Sequence, residues 1–436
     1  MSTQKIPTYY PIVYKLPDSP DKKANKIIDN ELSPVLYNTL PYPQFNLGFH
    51  HYIHSNKDKM DLTTEKDIAS RKKHFYYVAN PFENIIDNYD KSMTQIATKY
   101  FELDKSAPPI TDLSFFKFWE MIVMFDLIPT NMSNFISVHI ADPTGESIRG
   151  TILYRNKFIE KKYNIDGDNY YNLILKKGQI NKYVGTIDPV FLKYYPNIYT
   201  IDDIKSNMVN KVHFITADGG IGAKRNLEEQ EYSKLIFTQI TNCIKMQAVG
   251  GNFICKFYET FTIFNIKLLC LLKSLYVTVY VYKPLTSRES DSERFIVCKN
   301  FKYDTKELKS LVENLDNTVN IINTSDKYLN DIYPTYTIPL DIFVNMIAIN
   351  TEISNKQFVS INKIIVYIKE NNYYGDKYHD YRNQQINANS YWTSIFFPPS
   401  KKELDTNKGF LSSIIDKIQT TNNKQIVKLA STVRLF

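Results

Sequence analysis

From residue 134 onward, short apolar runs alternate with longer stretches whose apolar residues recur every three or four positions. The short runs predict strands at Phe135–Ala141, Tyr170–Leu175, Asn197–Ile201, Val212–Ala217, Asn252–Phe257, Leu275–Tyr282 and Arg294–Lys299. Between the fourth and fifth, Leu227–Val249 carries Leu235, Ile236, Ile240, Cys243 and Ile244 at helical spacing, with Gly250-Gly251 as its stop. Between the fifth and sixth, Glu259–Ser274 reads as another helix. Strands alternating with helices imply βαβ units and a mainly parallel sheet. Only Lys283 to Glu293 joins the last two strands, too little for a crossover helix, so they form a hairpin and the seventh strand runs antiparallel.

The flanks read differently. Residues 1–108 begin polar and irregular, broken by Pro7, Pro11, Pro17, Pro20, Pro34, Pro41 and Pro43, before a helical pattern over Ile85–Phe101. Ala107-Pro108-Pro109 reads as a linker, and Phe115–Leu127 as a helix apolar over most of its surface. Beyond residue 303 the runs KELKSLVENL, SINKIIVYIKE and SSIIDKIQ are helical and polar. The expected division is 1–108, 109–302 and 303–436, with no internal repeat.

Composition changes this picture little. The 436 residues carry 53 Lys and Arg against 46 Asp and Glu, a net charge of +7 that permits a polyanionic partner without demanding one. The 33 Tyr and 26 Phe against 13 Gly look like translation of an AT-rich genome, which discounts the lysine excess further. Cys243, Cys255, Cys270 and Cys298 form no C-x-x-C pair, arguing against a zinc ribbon or disulfide scaffold and for a reducing compartment. Lys267 and Lys273 interrupt the most apolar stretch, so no membrane span is expected, and the N-terminus lacks a signal-peptide core.

In an open parallel sheet, ligands bind beyond the carboxyl ends of the strands, so polar residues at that rim are the ones to weigh. Asp218 follows the fourth strand, Lys256 lies late in the fifth, and Glu293 opens the antiparallel seventh, whose beginning lies at the same rim. Lys117 is a lone cation in the apolar run FFKFWEMIVMF just before the first strand. Each has an ordinary reading: Lys117 as a snorkelling side chain, Asp218 as a turn former, Glu293 as surface. Lys256 is harder to dismiss, because an ammonium between apolar strand neighbours needs a carboxylate nearby. The first strand runs into Ala141-Asp142-Pro143-Thr144-Gly145-Glu146, a strand–turn–helix of the kind that approaches nucleotide cofactors, here with one glycine. Asp202 and Asp203, after the third strand, can accept from a ribose or an adenine amine, or cap a helix.

Other features carry less. His50, His51 and His54 have no Cys or acidic partner at useful spacing, so no metal is expected. His139 and His213 fall within strands and read as core, Ser287 lacks a nucleophile-elbow context, and Arg71–Tyr77 reads as a solvated basic face before an RNA contact.

The segments FFKFWE, ADPTGES, HFITADGG, GGNFICKFYETFT and SRESDSERFIVCKNF resemble, in order and approximate spacing, the FtsJ-like (RrmJ-like) ribose 2′-O-methyltransferases over roughly residues 110–302. The likeness is greatest to cap-type enzymes of eukaryotes and large cytoplasmic DNA viruses. It implies an α/β, Rossmann-like sheet of seven strands with the last antiparallel, binding S-adenosyl-L-methionine. It also implies a capped mRNA substrate and a Lys-Asp-Lys-Glu tetrad made here by Lys117, Asp218, Lys256 and Glu293. The cofactor would lie on Ala141, Asp142, Pro143, Thr144 and Gly145, with Asp203 nearby. A ribose 2′-hydroxyl is a poor nucleophile; a lysine of lowered pKa, or one whose charge stabilises the forming alkoxide, would assist its attack on a sulfonium methyl. The loop departs from the family's A-P-G-G-F pattern: Thr144 replaces a glycine and Glu146 adds a carboxylate. That departure leaves an alternative, a non-catalytic RNA-binding or scaffold protein retaining the fold, with protein partners on the terminal regions.

Overall fold

The computed structural model describes residues 9–18, 26–43, 48, 50–59, 79–83, 92–177, 182–184, 186–220, 226–304, 306–370 and 375–433. The N-terminal part contributes β1 (Ile12–Lys15), β2 (Val35–Tyr37), α1 (residues 50–59) and α2 (Met93–Tyr100). The central part follows with α3 (Leu113–Phe125), β3 (Ile136–Ile140), α4 (Glu146–Phe158), β4 (Asn169–Leu173), β5 (Leu175–Lys177), β6 (Lys182–Val184) and α5 (Pro189–Tyr194). It continues through β7 (Ile198–Ile201), β8 (Val212–Ala217), α6 (Glu228–Glu231), α7 (Ser233–Met246), β9 (Gln247–Phe257), α8 (Ile263–Leu275), β10 (Tyr276–Lys283) and β11 (Arg294–Phe301). The C-terminal part is α9 (Lys309–Asn323), β12 (Tyr328–Asp331), α10 (Leu340–Glu370), α11 (Asp376–Phe396) and α12 (Lys401–Val433). The helix expected over Ile85–Phe101 is seen as α2; residues 84–91 and the basic stretch Arg71–Tyr77 lie outside the described residues.

One eight-stranded sheet organises the fold, in the order β1-β10-β11-β9-β8-β3-β4-β7. The pairs β9·β8, β8·β3, β3·β4 and β4·β7 are parallel, while β11 runs antiparallel to both β9 and β10. The expected hairpin and reversed strand are therefore present. The sheet has eight strands, not seven, because Ile12–Lys15 from the proline-rich N-terminal segment adds an antiparallel edge beside β10. An exposed edge invites pairing with another chain; here α12 covers it. Gln419 Nε2 and Asn422 Nδ2 donate to Val13 O at 2.9 and 3.0 Å, and Lys15 N donates to Gln419 Oε1 at 2.9 Å.

The fifth expected strand begins earlier than its apolar run. Helix α7 ends at Met246, and β9 starts at Gln247, opposite Val212. The Gly250-Gly251 pair is not a helix stop but part of a bulge that precedes the regular register at Asn252, with Gly250 at φ 77°. Helix α3 explains its own composition: a helix apolar all round is buried all round. It packs between the sheet and the C-terminal helices, with Trp119 Nε1 donating to Phe396 O at 2.5 Å and Phe116 edge-on to Trp392. Among the described residues no helix is long and apolar enough to cross a membrane, and all four cysteines are buried and unbridged.

Candidate active site

The carboxyl ends of the parallel strands bring the four charged candidates together. Asp218 leaves the end of β8, Lys256 is the penultimate residue of β9, Glu293 immediately precedes β11, and Lys117 projects from the second turn of α3. Lys256 Nζ lies 2.5 Å from Asp218 Oδ1 and donates to Asp218 O at 3.1 Å. Lys117 Nζ pairs with Glu293 Oε1. All four side chains keep between 9% and 13% of their surface exposed, so the two ion pairs are largely desolvated yet open to a ligand.

Burial and neighbours set the charges. Burial opposes the Lys256 ammonium, but Asp218, Tyr258 and Glu293 outweigh it and raise its pKa above the ordinary lysine range. Burial likewise opposes ionisation of Glu293, yet Lys117, Lys283 and Lys256 bring its carboxyl down to about 2. The resting site therefore holds an ammonium at Lys256. Of the two roles open to a lysine here, the ion pair with Asp218 favours the one in which its charge stabilises a forming alkoxide.

The loop after β3 is built around Asp142. Its carboxylate accepts from Gly145 N at 2.9 Å, Ser147 N at 3.1 Å, Ser147 Oγ at 2.5 Å and Thr144 Oγ1 at 3.2 Å. Buried, neutral His139 ties the same turn to the sheet: its Nδ1 lies 3.0 Å from Ser147 Oγ and 2.8 Å from Thr216 Oγ1. Burial alone lowers its pKa to about 3. His213 is half-buried, with Nδ1 accepting from Ile136 N at 3.1 Å. His139 is the core residue expected, while His213 sits at the edge of the core.

The added groups in this loop do not obstruct it. Thr144 is exposed, and Glu146 is buried against Arg149, which also donates to Pro108 O at 2.6 Å. Whether the rim fits a nucleoside cofactor turns on how closely backbone can approach. Gly145 caps α4 at φ 74°, where a Cβ would stand 2.8 Å from the Phe191 ring. A Cβ on Gly219 would meet Gln239 Nε2 at 2.2 Å and the Ala141 Cβ at 3.2 Å. Phe191 and Gln239 thus pack into the room these two glycines leave, and the turns after β3 and β8 come together beside the start of α4, at the strand ends where a nucleoside cofactor fits an open α/β sheet. Asp202 and Asp203 are exposed at the end of β7, separated from β3 by β4, with Asp203 Oδ1 accepting from Ile204 N at 2.8 Å.

Residues 110–301 match the family model described as FtsJ-like methyltransferase. This region is similar to that family. The chain is 29% identical over 177 residues to the cap-specific mRNA (nucleoside-2′-O-)-methyltransferase 1 of Danio rerio, covering 40% of this chain and 21% of that protein. It is 31% identical over 163 residues to the Homo sapiens protein of the same name, covering 36% and 20% respectively. The chain thus spans about a fifth of the length of these relatives. A ribosomal RNA methyltransferase structure from Plasmodium falciparum is 22% identical, covering 43% of this chain and 96% of that one, with a TM-score of 0.31.

Within the FtsJ-like region, several residues that support the ion pairs had no signal in the sequence. Ser287 Oγ donates to Glu293 Oε1 at 2.7 Å, and buried Lys283 donates to Glu293 O at 2.9 Å and Asp291 O at 2.8 Å. Burial lowers the Lys283 pKa to about 8 against the pull of Glu293 and Asp291. Glu120, fully buried on α3, accepts from Tyr282 OH at 2.5 Å, Leu285 N at 2.7 Å, Thr286 Oγ1 at 3.0 Å and Trp392 Nε1 at 2.8 Å. An acid three residues after Lys117 in an otherwise apolar helix was the one available clue. The fold also supplies what the histidine cluster lacked in sequence: Glu259, just past β9, meets His54, while His51 stays exposed.

Proposed function

We propose that the chain is an S-adenosylmethionine-dependent RNA ribose 2′-O-methyltransferase acting on capped mRNA, with Lys117, Asp218, Lys256 and Glu293 around the reacting hydroxyl. The carrying observation is that four segments far apart in sequence place two ion pairs side by side at one rim of the sheet, each with only about a tenth of its surface exposed. The family of residues 110–301 and the cap-specific names of the relatives support the substrate class.

When bound, S-adenosylmethionine supplies an electrophilic sulfonium methyl. Backbone of Ala141, Asp142, Pro143, Thr144 and Gly145 would hold it, with Asp203 accepting from its nucleoside. Lys256, held as an ammonium by Asp218, would donate to the ribose O2′ and stabilise negative charge there while the O–CH3 bond forms and the methyl–sulfur bond breaks, leaving the neutral thioether. The hydroxyl proton passes to solvent. Asp218 fixes the direction of the Lys256 Nζ, and the Lys117–Glu293 pair sets the field beside it. Rigid placement of the hydroxyl in line with the methyl supplies much of the remaining rate.

The test is transfer of labelled methyl from S-adenosylmethionine to a short capped RNA, with the same RNA already 2′-O-methylated as control. Product on the first, none on the second, and none from Lys256→Ala are expected. Equal labelling of both RNAs would overturn the ribose assignment.

A further inference from the structure

Outside these four residues, the described chain holds one group of side chains with the composition of a metal site: His50, His54 and Glu259, whose ligand atoms all lie within 4.8 Å of one another. His50 and His54 stand one turn apart on α1 and so share a face. Glu259 arrives from 205 residues away, two positions past the end of β9 and three beyond Lys256. His54 Nε2 lies 3.1 and 3.0 Å from the two carboxylate oxygens. The rings of His50 and His54 are 3.8 Å apart, and Phe261 closes over His50 edge-on at 5.7 Å.

His50 Nε2 is buried with no hydrogen-bond partner among the described residues. A buried ring nitrogen left unpaired costs free energy that a small group in this space would recover. We propose that these three residues bind a divalent transition-metal ion of the zinc type, which clips α1 to the segment following Lys256. Two imidazoles and one carboxylate, with a fourth position left to water, form the donor set that zinc takes, whereas calcium and magnesium favour all-oxygen sites. Closing the ligand atoms to the roughly 3.3 Å spacing of a tetrahedral zinc site requires a contraction of an ångström or so. Lys57, on the same helix, lies 3.6 Å from Glu259 Oε1. Its ammonium repels a cation, but it also occupies and orients the second carboxylate oxygen, as outer partners of metal-bound carboxylates do. The ion is structural here and independent of the methyl-transfer reading.

The full chain, stripped with EDTA and returned to chelator-free buffer, is titrated with Zn²⁺ by calorimetry. One equivalent should bind, with a rise in Tm, and Co²⁺ in its place should give the intense visible absorption of tetrahedral coordination. His50→Ala and His54→Ala, on a partly exposed helix, should weaken zinc binding at least ~10-fold. His51→Ala, on the outer face, should bind as the parent does. Circular dichroism confirms that each variant is folded, and Glu259→Gln gives a third, isosteric probe. Substoichiometric binding by the parent, or equal affinity in the parent and both ligand variants, overturns the site.

Discussion

Lys117 and Glu120 stand one turn apart on α3 and hold the same loop at two points. Lys117 pairs with Glu293 at the loop's end, and Glu120 accepts from Leu285 N and Thr286 Oγ1 near its start. Helix α3, itself clamped by Trp392 and Phe396 from the C-terminal region, thereby fixes where Glu293 sits. The four-residue site depends in this way on chain beyond residue 302.

Glu120 should matter for stability before it matters for chemistry. Glu120→Ala leaves the Tyr282 hydroxyl, the Trp392 indole and Thr286 without their acceptor inside the protein, and should cost at least about 3 kcal/mol. Denaturant unfolding measures it. Glu120→Gln, which keeps an acceptor oxygen, should lose less. In both variants, any fall in methyl transfer should exceed that of an equally destabilised variant made remote from the loop.

Lys256→Ala should lower the rate of methyl transfer by roughly 10²–10³-fold, with little change in KM for RNA, because its charge acts as the alkoxide forms. Lys256→Arg should recover little, since a planar fork cannot place a point charge in the same pocket. Combining Lys256→Ala with Asp218→Ala should reduce the rate hardly further than Lys256→Ala alone. Additive losses in that double variant would show that Asp218 acts other than through Lys256.

The parallel strands and the reversed seventh were legible because each is a short apolar run whose strand character is local. Strand β1 was not: IVYK lies between Pro11 and Pro17, and its place in the sheet comes from β10 and from the α12 side chains that cover its edge. Lys117 stood out as a charge in an apolar helix, and Lys256 as a cation in a strand. Ser287, Lys283 and Glu120 are ordinary residues one by one and gain meaning only through the tertiary contacts that aim Glu293. Glu259 is the extreme case, since nothing near the histidines announces a carboxylate from the far end of β9.

Glu293 gives the site a pH signature. Its carboxyl falls from an ordinary 4.5 to about 2 in the fold. A depressed acid contributes stability that is fully present above its unfolded pKa and is lost as pH drops toward the folded value. The stability difference between the parent and Glu293→Gln should therefore be constant from about pH 6 to 8 and shrink by about 0.8 kcal/mol on going to pH 4. Denaturant unfolding at fixed ionic strength reads this directly; a difference that grows toward acid would mean that Glu293 is not held ionised by Lys117, Lys283 and Lys256.

The loop after β3 decides whether the departure at Thr144 has any consequence. Thr144 is exposed, and its hydroxyl donates only to Asp142 Oδ1 at 3.2 Å, so Thr144→Gly should change S-adenosylmethionine affinity by less than about 3-fold. Gly145 is different. At φ 74° with Phe191 2.8 Å from where a Cβ would stand, Gly145→Ala must shift either the turn or the ring. Because that turn opens α4 and its backbone is proposed to carry the cofactor, Gly145→Ala should weaken binding by about 10-fold or more, the ~1.4 kcal/mol that a strained αL alanine costs. Calorimetry with S-adenosylmethionine on the three proteins separates the cases. Micromolar binding by the parent, little changed by Thr144→Gly and lost with Gly145→Ala, places the cofactor on this turn. No binding by the parent would instead favour an RNA-binding scaffold that has kept the FtsJ-like fold without its chemistry.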